Sequence, residues 1–183
     1  MELFLNGRSL GKKGKGEYPG LLHAPRIWKV AFEAGTLKAV GSAVGREFIH
    51  EIKTAGRADH ILLESDVSQL TSGDPESLAY LTASVVDEAG IVVPDSYHAI
   101  TFTSFGPGTL LPQTWLGHGT GLTWNVVAGK TRVAFRSTLR SGRAVVSAYS
   151  PGLRMGRLEI VVTAPGKIDE MDYLDKFRAD EIK

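Results

Sequence analysis

A period of two in the placing of apolar residues governs this chain from its first residues onward. Met1-Glu2-Leu3-Phe4-Leu5-Asn6-Gly7-Arg8-Ser9-Leu10-Gly11 reads as a strand that runs straight into an Asn-Gly turn. Alternate side chains on a strand point to opposite faces, so such a segment covers a sheet with one face and meets water with the other. Asn-Gly is the dipeptide that closes a tight hairpin, because both residues accept the positive φ that the turn requires. If this strand belongs to a small β-sandwich, the sandwich lacks its opening strands, or another chain supplies them.

The same rhythm recurs between glycine-rich breaks. Trp28, Val30 and Phe32 alternate with polar or small neighbours, and 37–41 and 48–52 repeat the pattern, which gives four short strands in the first third. The breaks at 11–20, 33–35 and 42–45 each supply a glycine where a tight turn would need it. Thr54-Ala55-Gly56-Arg57-Ala58-Asp59 reads as a linker, after which further strands are expected at 61–64, 78–87, 91–93, 99–103, 131–137, 144–149 and 157–162. Pro94 confines 91–93 to an edge or an end. About seven strands at this spacing fit an immunoglobulin-like sandwich. Beyond residue 164 the pattern changes. Ile168, Met171, Leu174 and Phe177 recur every three residues, with Asp169 and Glu170 early and Lys176 and Arg178 late, as the dipole of a short helix prefers.

The expected organisation is therefore all-β: a partial immunoglobulin-like sandwich over 1–56, a second sandwich over 57–164, and a helical tail over 165–183. A chain of 183 residues with 43% hydrophobic content, 21 glycines and 8 prolines can bury one sizeable core or two small ones. Its 21 basic and 20 acidic residues leave a formal charge of +1, which provides no net field for a nucleic-acid backbone or an anionic membrane. Cysteine is absent, so disulfides and thiol catalysis are excluded. No apolar run approaches the roughly 20 residues of a spanning helix, and no signal-peptide pattern opens the chain, which reads as cytoplasmic as written.

No catalytic constellation emerges from the residues. Glycosidase chemistry needs two carboxylates about 5 to 10 Å apart across a sugar, whereas Asp74, Asp87 and Glu88 sit in turns, and Glu51, Glu64 and Glu159 sit on polar strand faces. There is no Gly-x-Ser-x-Gly elbow. His23, His50, His60, His98 and His118 are scattered singly, so neither a metal site nor a cofactor is expected. The glycine-rich runs 11–16 and 117–121 lack a following helix to hold a phosphate, and read as hairpin loops. Trp115 and Trp124 flank the second run. An indole face stacks on the C–H face of a sugar, which makes these two the candidate carbohydrate contacts, while packing between two sheets is the competing role.

These residues carry a resemblance. The segments 2–11, Trp28-Lys29-Val30 with 32–41, and Lys53-Thr54-Ala55-Gly56 resemble a C-terminal immunoglobulin-like module of bacterial glycoside hydrolase family 2 enzymes of the β-galactosidase type. Residues 60–163 are similar to the further immunoglobulin-like domain that follows it, through Val85-Val86-Asp87-Glu88-Ala89-Gly90, Val92-Val93-Pro94, Phe105-Gly106-Pro107-Gly108, 134–138 and Ser150-Pro151-Gly152-Leu153. In that family the catalytic glutamates lie on a (β/α)₈ barrel, to which nothing here is similar, so the resemblance transfers no catalytic residue. It implies a non-catalytic accessory part of such an enzyme, associating with a catalytic chain or with itself through the incomplete first sandwich. Where the family tends to place Asn-Gly-Asp after Gly-Pro-Gly, this chain has Leu116-Gly117-His118-Gly119-Thr120. An adhesion or scaffolding module and an independent carbohydrate-binding module are the alternatives.

Overall fold

The computed structural model describes residues 1–14, 25–112, 119–120 and 122–166. The chain divides into two compact units, Met1–Ala55 and Gly56–Lys183.

Among the described residues unit 1 is one antiparallel sheet of four strands, β1 (Glu2–Leu5), β2 (Arg8–Lys12), β3 (Thr36–Ala43) and β4 (Arg46–Lys53), in the order β2-β1-β3-β4. Asn6 and Gly7, at φ 51° and 81°, form the two-residue turn between β1 and β2. The Asn6 side chain then ties that turn to the entry of β3. Its Oδ1 accepts the Thr36 N–H at 2.8 Å, and its Nδ2 donates to Glu33 Oε1 at 2.8 Å and to the Ala34 carbonyl at 3.0 Å. Residues 25–33 carry no strand, so the alternation of Trp28, Val30 and Phe32 builds no ladder among the described residues. Phe32 is 85% exposed.

Register assigns the faces of this sheet. Leu5 lies opposite Leu37 and Leu37 opposite Ile52, while Leu3 lies opposite Ala39 and Ala39 opposite His50. Leu3, Leu5, Leu37, Ala39, Phe48 and Ile52 therefore share one face. Among the described residues no second sheet covers it, and Leu5 is the one buried hydrophobic residue of the unit.

Unit 2 is a sandwich of two sheets. One has four strands, β5 (His60–Ser65), β7 (Leu78–Val86), β12 (Lys130–Ser137) and β9 (Gly108–Leu111), in the order β5-β7-β12-β9. The other has six, in the order β10-β11-β8-β13-β14-β6, comprising β6 (Gln69–Thr71), β8 (Ala99–Phe105), β10 (Gly119–Thr120), β11 (Thr123–Asn125), β13 (Gly142–Tyr149) and β14 (Gly156–Thr163). Every pairing is antiparallel except β14 with β6. Alternate residues of both sheets meet between them: Leu81, Val85, Val133 and Phe135 from one, and Ile100, Phe102, Val146 and Ile160 from the other, all at most 1% exposed. Gly108 is required where it stands, because a Cβ there would collide with the Phe135 ring.

The expected strand at 91–93 is reduced to a bridge between Val92 and Val86. The helix expected over 165–183 lies outside the described residues except for 165 and 166, which are irregular. Among the described residues there is no helix at all, hence none long and apolar enough to cross a membrane.

Candidate functional site

Among the described residues a polar cluster forms where the chain enters unit 2. Asp87, at the end of β7, is 6% exposed, and backbone amides hold its carboxylate from both sides. Oδ2 accepts the Gly56 N–H at 2.7 Å, and Oδ1 accepts those of Ile91 at 2.8 Å and Ala89 at 3.0 Å. These bonds, Gly56 first and then Ile91, hold the carboxyl below the usual aspartate range, because each stabilises the charged form. The reading of Asp87 as a turn former is thus half of its role. Its bond to Gly56, 31 positions earlier, is invisible to a reading of local sequence.

Beside it stands a second ionic group. Asp59 accepts from the Arg154 guanidinium and from His60 Nδ1, the latter at 2.8 Å, and both lower its pKa, Arg154 more than His60. Arg154 is raised in turn by Asp59. The backbone sets this geometry: Arg154 N–H donates to the Asp59 carbonyl at 3.0 Å and Ile61 N–H to the Arg154 carbonyl at 3.0 Å, which locks the 150–154 turn to the start of β5. Gly56, Arg57, Ala58, Asp59, Asp87, Glu88 and Ala89 line an open cavity of about 450 Å³.

This cluster has the geometry of a structural tie within unit 2. A glycosidase acid needs a raised pKa and a facing carboxylate, whereas both aspartates are pushed down and tied to donors. Three more of the carboxylates singled out in the sequence are engaged similarly. Asp74 Oδ1 caps the Glu76 N–H at 2.9 Å, Glu51 pairs with Lys38 at 3.5 Å and Glu159 with Arg143 at 3.2 Å. The histidines stay apart: His98 meets Ser96 at 2.8 Å, His50 lies on β4, and His23 and His118 fall outside the described residues. Among the described residues no three His, Cys, Asp or Glu side chains come together as a metal site.

Of the two candidate sugar contacts, Trp115 lies outside the described residues. Trp124 on β11 is 5% exposed and packs against Phe102, ring centroids 5.5 Å apart and planes at 44°. The indole is thus enclosed on the inward face of the six-stranded sheet, beside Ile100 and Phe102. The exposed aromatic and apolar surface of unit 2 lies elsewhere. Phe105 and Leu139, 84% and 88% exposed, border a groove of about 580 Å³ with Pro107 and Arg140.

Comparison with known proteins adds the following. Residues 61–159, more than half of the chain, match the family described as glycoside hydrolase family 2 C-terminal domain 5, and residues 1–49 match a domain of unknown function, DUF4982. The chain is 32% identical over 169 residues to the β-galactosidase BoGH2A of Bacteroides ovatus, an alignment covering 87% of this chain and 19% of that protein. It is similar in structure to a glycosyl hydrolase family 2 member from Bacteroides cellulosilyticus, with TM-score 0.75, 27% identity and coverage of 87% of this chain and 22% of the other. A β-glycosidase from Bacteroides vulgatus shares the fold at TM-score 0.75 and 23% identity, with coverage of 88% and 21%. The chain thus spans about a fifth of the length of the relatives it matches.

Proposed function

The chain belongs to the glycoside hydrolase family 2 C-terminal domain 5 family, and from that premise we propose that it is the non-catalytic accessory portion of a β-galactosidase-type enzyme, working against a (β/α)₈ catalytic region. The observation that carries this reading is the state of its carboxylates. Asp59, Asp74, Asp87, Glu51 and Glu159 each have a donor from the protein's own backbone or side chains. Such groups hold a fold together and have no free acid and base to offer a glycosidic bond.

The apolar face of unit 1 supplies the means of association. Phe48 and Ile52, 58% and 55% exposed, extend a surface that Leu3, Leu37 and Ala39 continue. Apolar faces of this kind are buried in stable assemblies, and the catalytic region is the partner assigned here.

Two measurements test the reading. The purified 183-residue chain is expected to leave an aryl β-galactoside intact. It is also expected to co-purify with a family 2 (β/α)₈ region from the same genome, with Phe48→Asp weakening that association. Hydrolysis by the chain alone, abolished by Glu88→Gln or another carboxylate replacement, would overturn the proposal.

A further inference from the structure

The outer edge of unit 1 carries a pattern that selects its own partner. β4 pairs with β3 along one side, and among the described residues nothing pairs with the other side. All eight of its residues are exposed. An edge of this kind presents a row of unpaired N–H and C=O groups to which another strand can add.

Symmetry limits how two copies could join there. In an antiparallel pair related by a two-fold axis, residue i facing j requires j to face i. Facing residues must also point to the same side of the sheet, so i and j differ by an even number. The axis then passes between a residue and its own copy, and near the middle of β4 that residue is Ile49, His50 or Glu51. Centred on Ile49, the pairing sets Glu47 against Glu51 twice. Centred on Glu51, it sets that carboxylate against its own copy and Ile49 against Lys53. Centred on His50, Glu47 faces Lys53 and Phe48 faces Ile52, each twice, and the two imidazoles meet at the axis. Ile49 then faces Glu51, whose carboxylate Lys38 already holds at 3.5 Å within its own sheet. Of the three registers, this alone avoids opposed carboxylates while pairing opposite charges on one face and apolar side chains on the other.

We propose that β4 is a homodimer edge, joining two copies of this chain antiparallel about His50 into one eight-stranded sheet. Phe48 and Ile52 lie on the face that carries Leu3, Leu5, Leu37 and Ala39. The apolar face therefore runs unbroken across the junction, and remains open to the catalytic region assigned above. The edge contact stands beside the accessory reading and does not depend on it.

Charge reversal provides the test. Within its own sheet Glu47 lies opposite Ser42 and Lys53 opposite Thr36, so reversing either disturbs no facing charge there. Sedimentation equilibrium of the full 183-residue chain over about a hundredfold range of concentration is expected to show a monomer–dimer equilibrium. Glu47→Lys and Lys53→Glu should each weaken it about tenfold or more, and the double variant should return to within about threefold of the original. Far-UV circular dichroism of all four proteins establishes that the sheet is intact. A monomer throughout, single variants with unchanged dissociation, or a double variant that fails to recover would each overturn the proposal. A monomeric chain that still binds the catalytic region would leave the accessory reading standing.

Discussion

The two units are built from the same strand rhythm and differ in what the rhythm meets. In unit 2 every inward row finds a facing row, so Phe102, Phe135, Leu81 and Ile160 lose essentially all contact with water. In unit 1 the equivalent row, Leu3, Leu37, Phe48 and Ile52, finds none among the described residues, and Leu5 alone is buried. Alternation of itself therefore specifies a face and leaves its cover to be supplied. Burial of apolar area is the main favourable term in folding, so the stability of this chain is expected to reside in unit 2.

The contrast can be broken most directly in the cores. Phe135→Ala is expected to cost unit 2 about 3–5 kcal/mol, whereas Ile52→Ala should cost unit 1 no more than about 1 kcal/mol, since that side chain is already 55% exposed. Guanidinium unfolding followed by intrinsic fluorescence measures both, and equal costs would contradict the comparison. Limited proteolysis should next show cleavage within 1–55 well before cleavage within 56–166, because sheets with little buried area open locally at low free energy. Simultaneous cleavage would remove the distinction.

Asp87 sharpens the comparison from the side of unit 2. Its carboxyl titrates below the usual aspartate value of about 3.9 in the folded state. The stability it contributes is therefore complete above that value and is lost as pH falls through the lower, folded one. Thermal melts of the chain should show Tm declining on the acid side of that value. Asp87→Asn should lower Tm by several degrees near neutrality and flatten the acid decline, and parallel pH profiles would sink this assignment.

The smallest effect is expected in unit 1. Val44 sits at φ 50° in the two-residue turn between β3 and β4, fully exposed, where a β-branched residue is strained. Val44→Asn should stabilise unit 1 by about 1 kcal/mol. A destabilised variant in the same melts would show that the turn is held by something other than its own backbone preference.

What the sequence disclosed follows from the range of each signal. Strands of six residues or more, such as β5, β7, β8, β12, β13 and β14, repeat the period often enough to be read, and Asn6-Gly7 announces its hairpin. β6, β9, β10 and β11, at two to four residues, are too short to show a period. Their places depend on neighbours far away in the chain, as in the parallel pairing of Leu70 with Val162. Trp28, Val30 and Phe32 alternate without joining a ladder, because alternation describes side chains and a ladder needs an available neighbouring backbone. At the entry to unit 2, the turn at Asp87-Glu88-Ala89-Gly90 was legible from its residue types. The bonds of Asp87 to Gly56 and of Asp59 to Arg154 span 31 and 95 positions, and no local pattern encodes them.

The bond between Asp87 and Gly56 also has a mechanical side. A tension applied to the backbone ahead of residue 56 would reach the sandwich first at one carboxylate, itself braced by the amides of residues 89 and 91. The load would pass into the end of β7, a central strand, and spare β5 at the margin of its sheet from being peeled away. A single side chain would thus take the first share of that load.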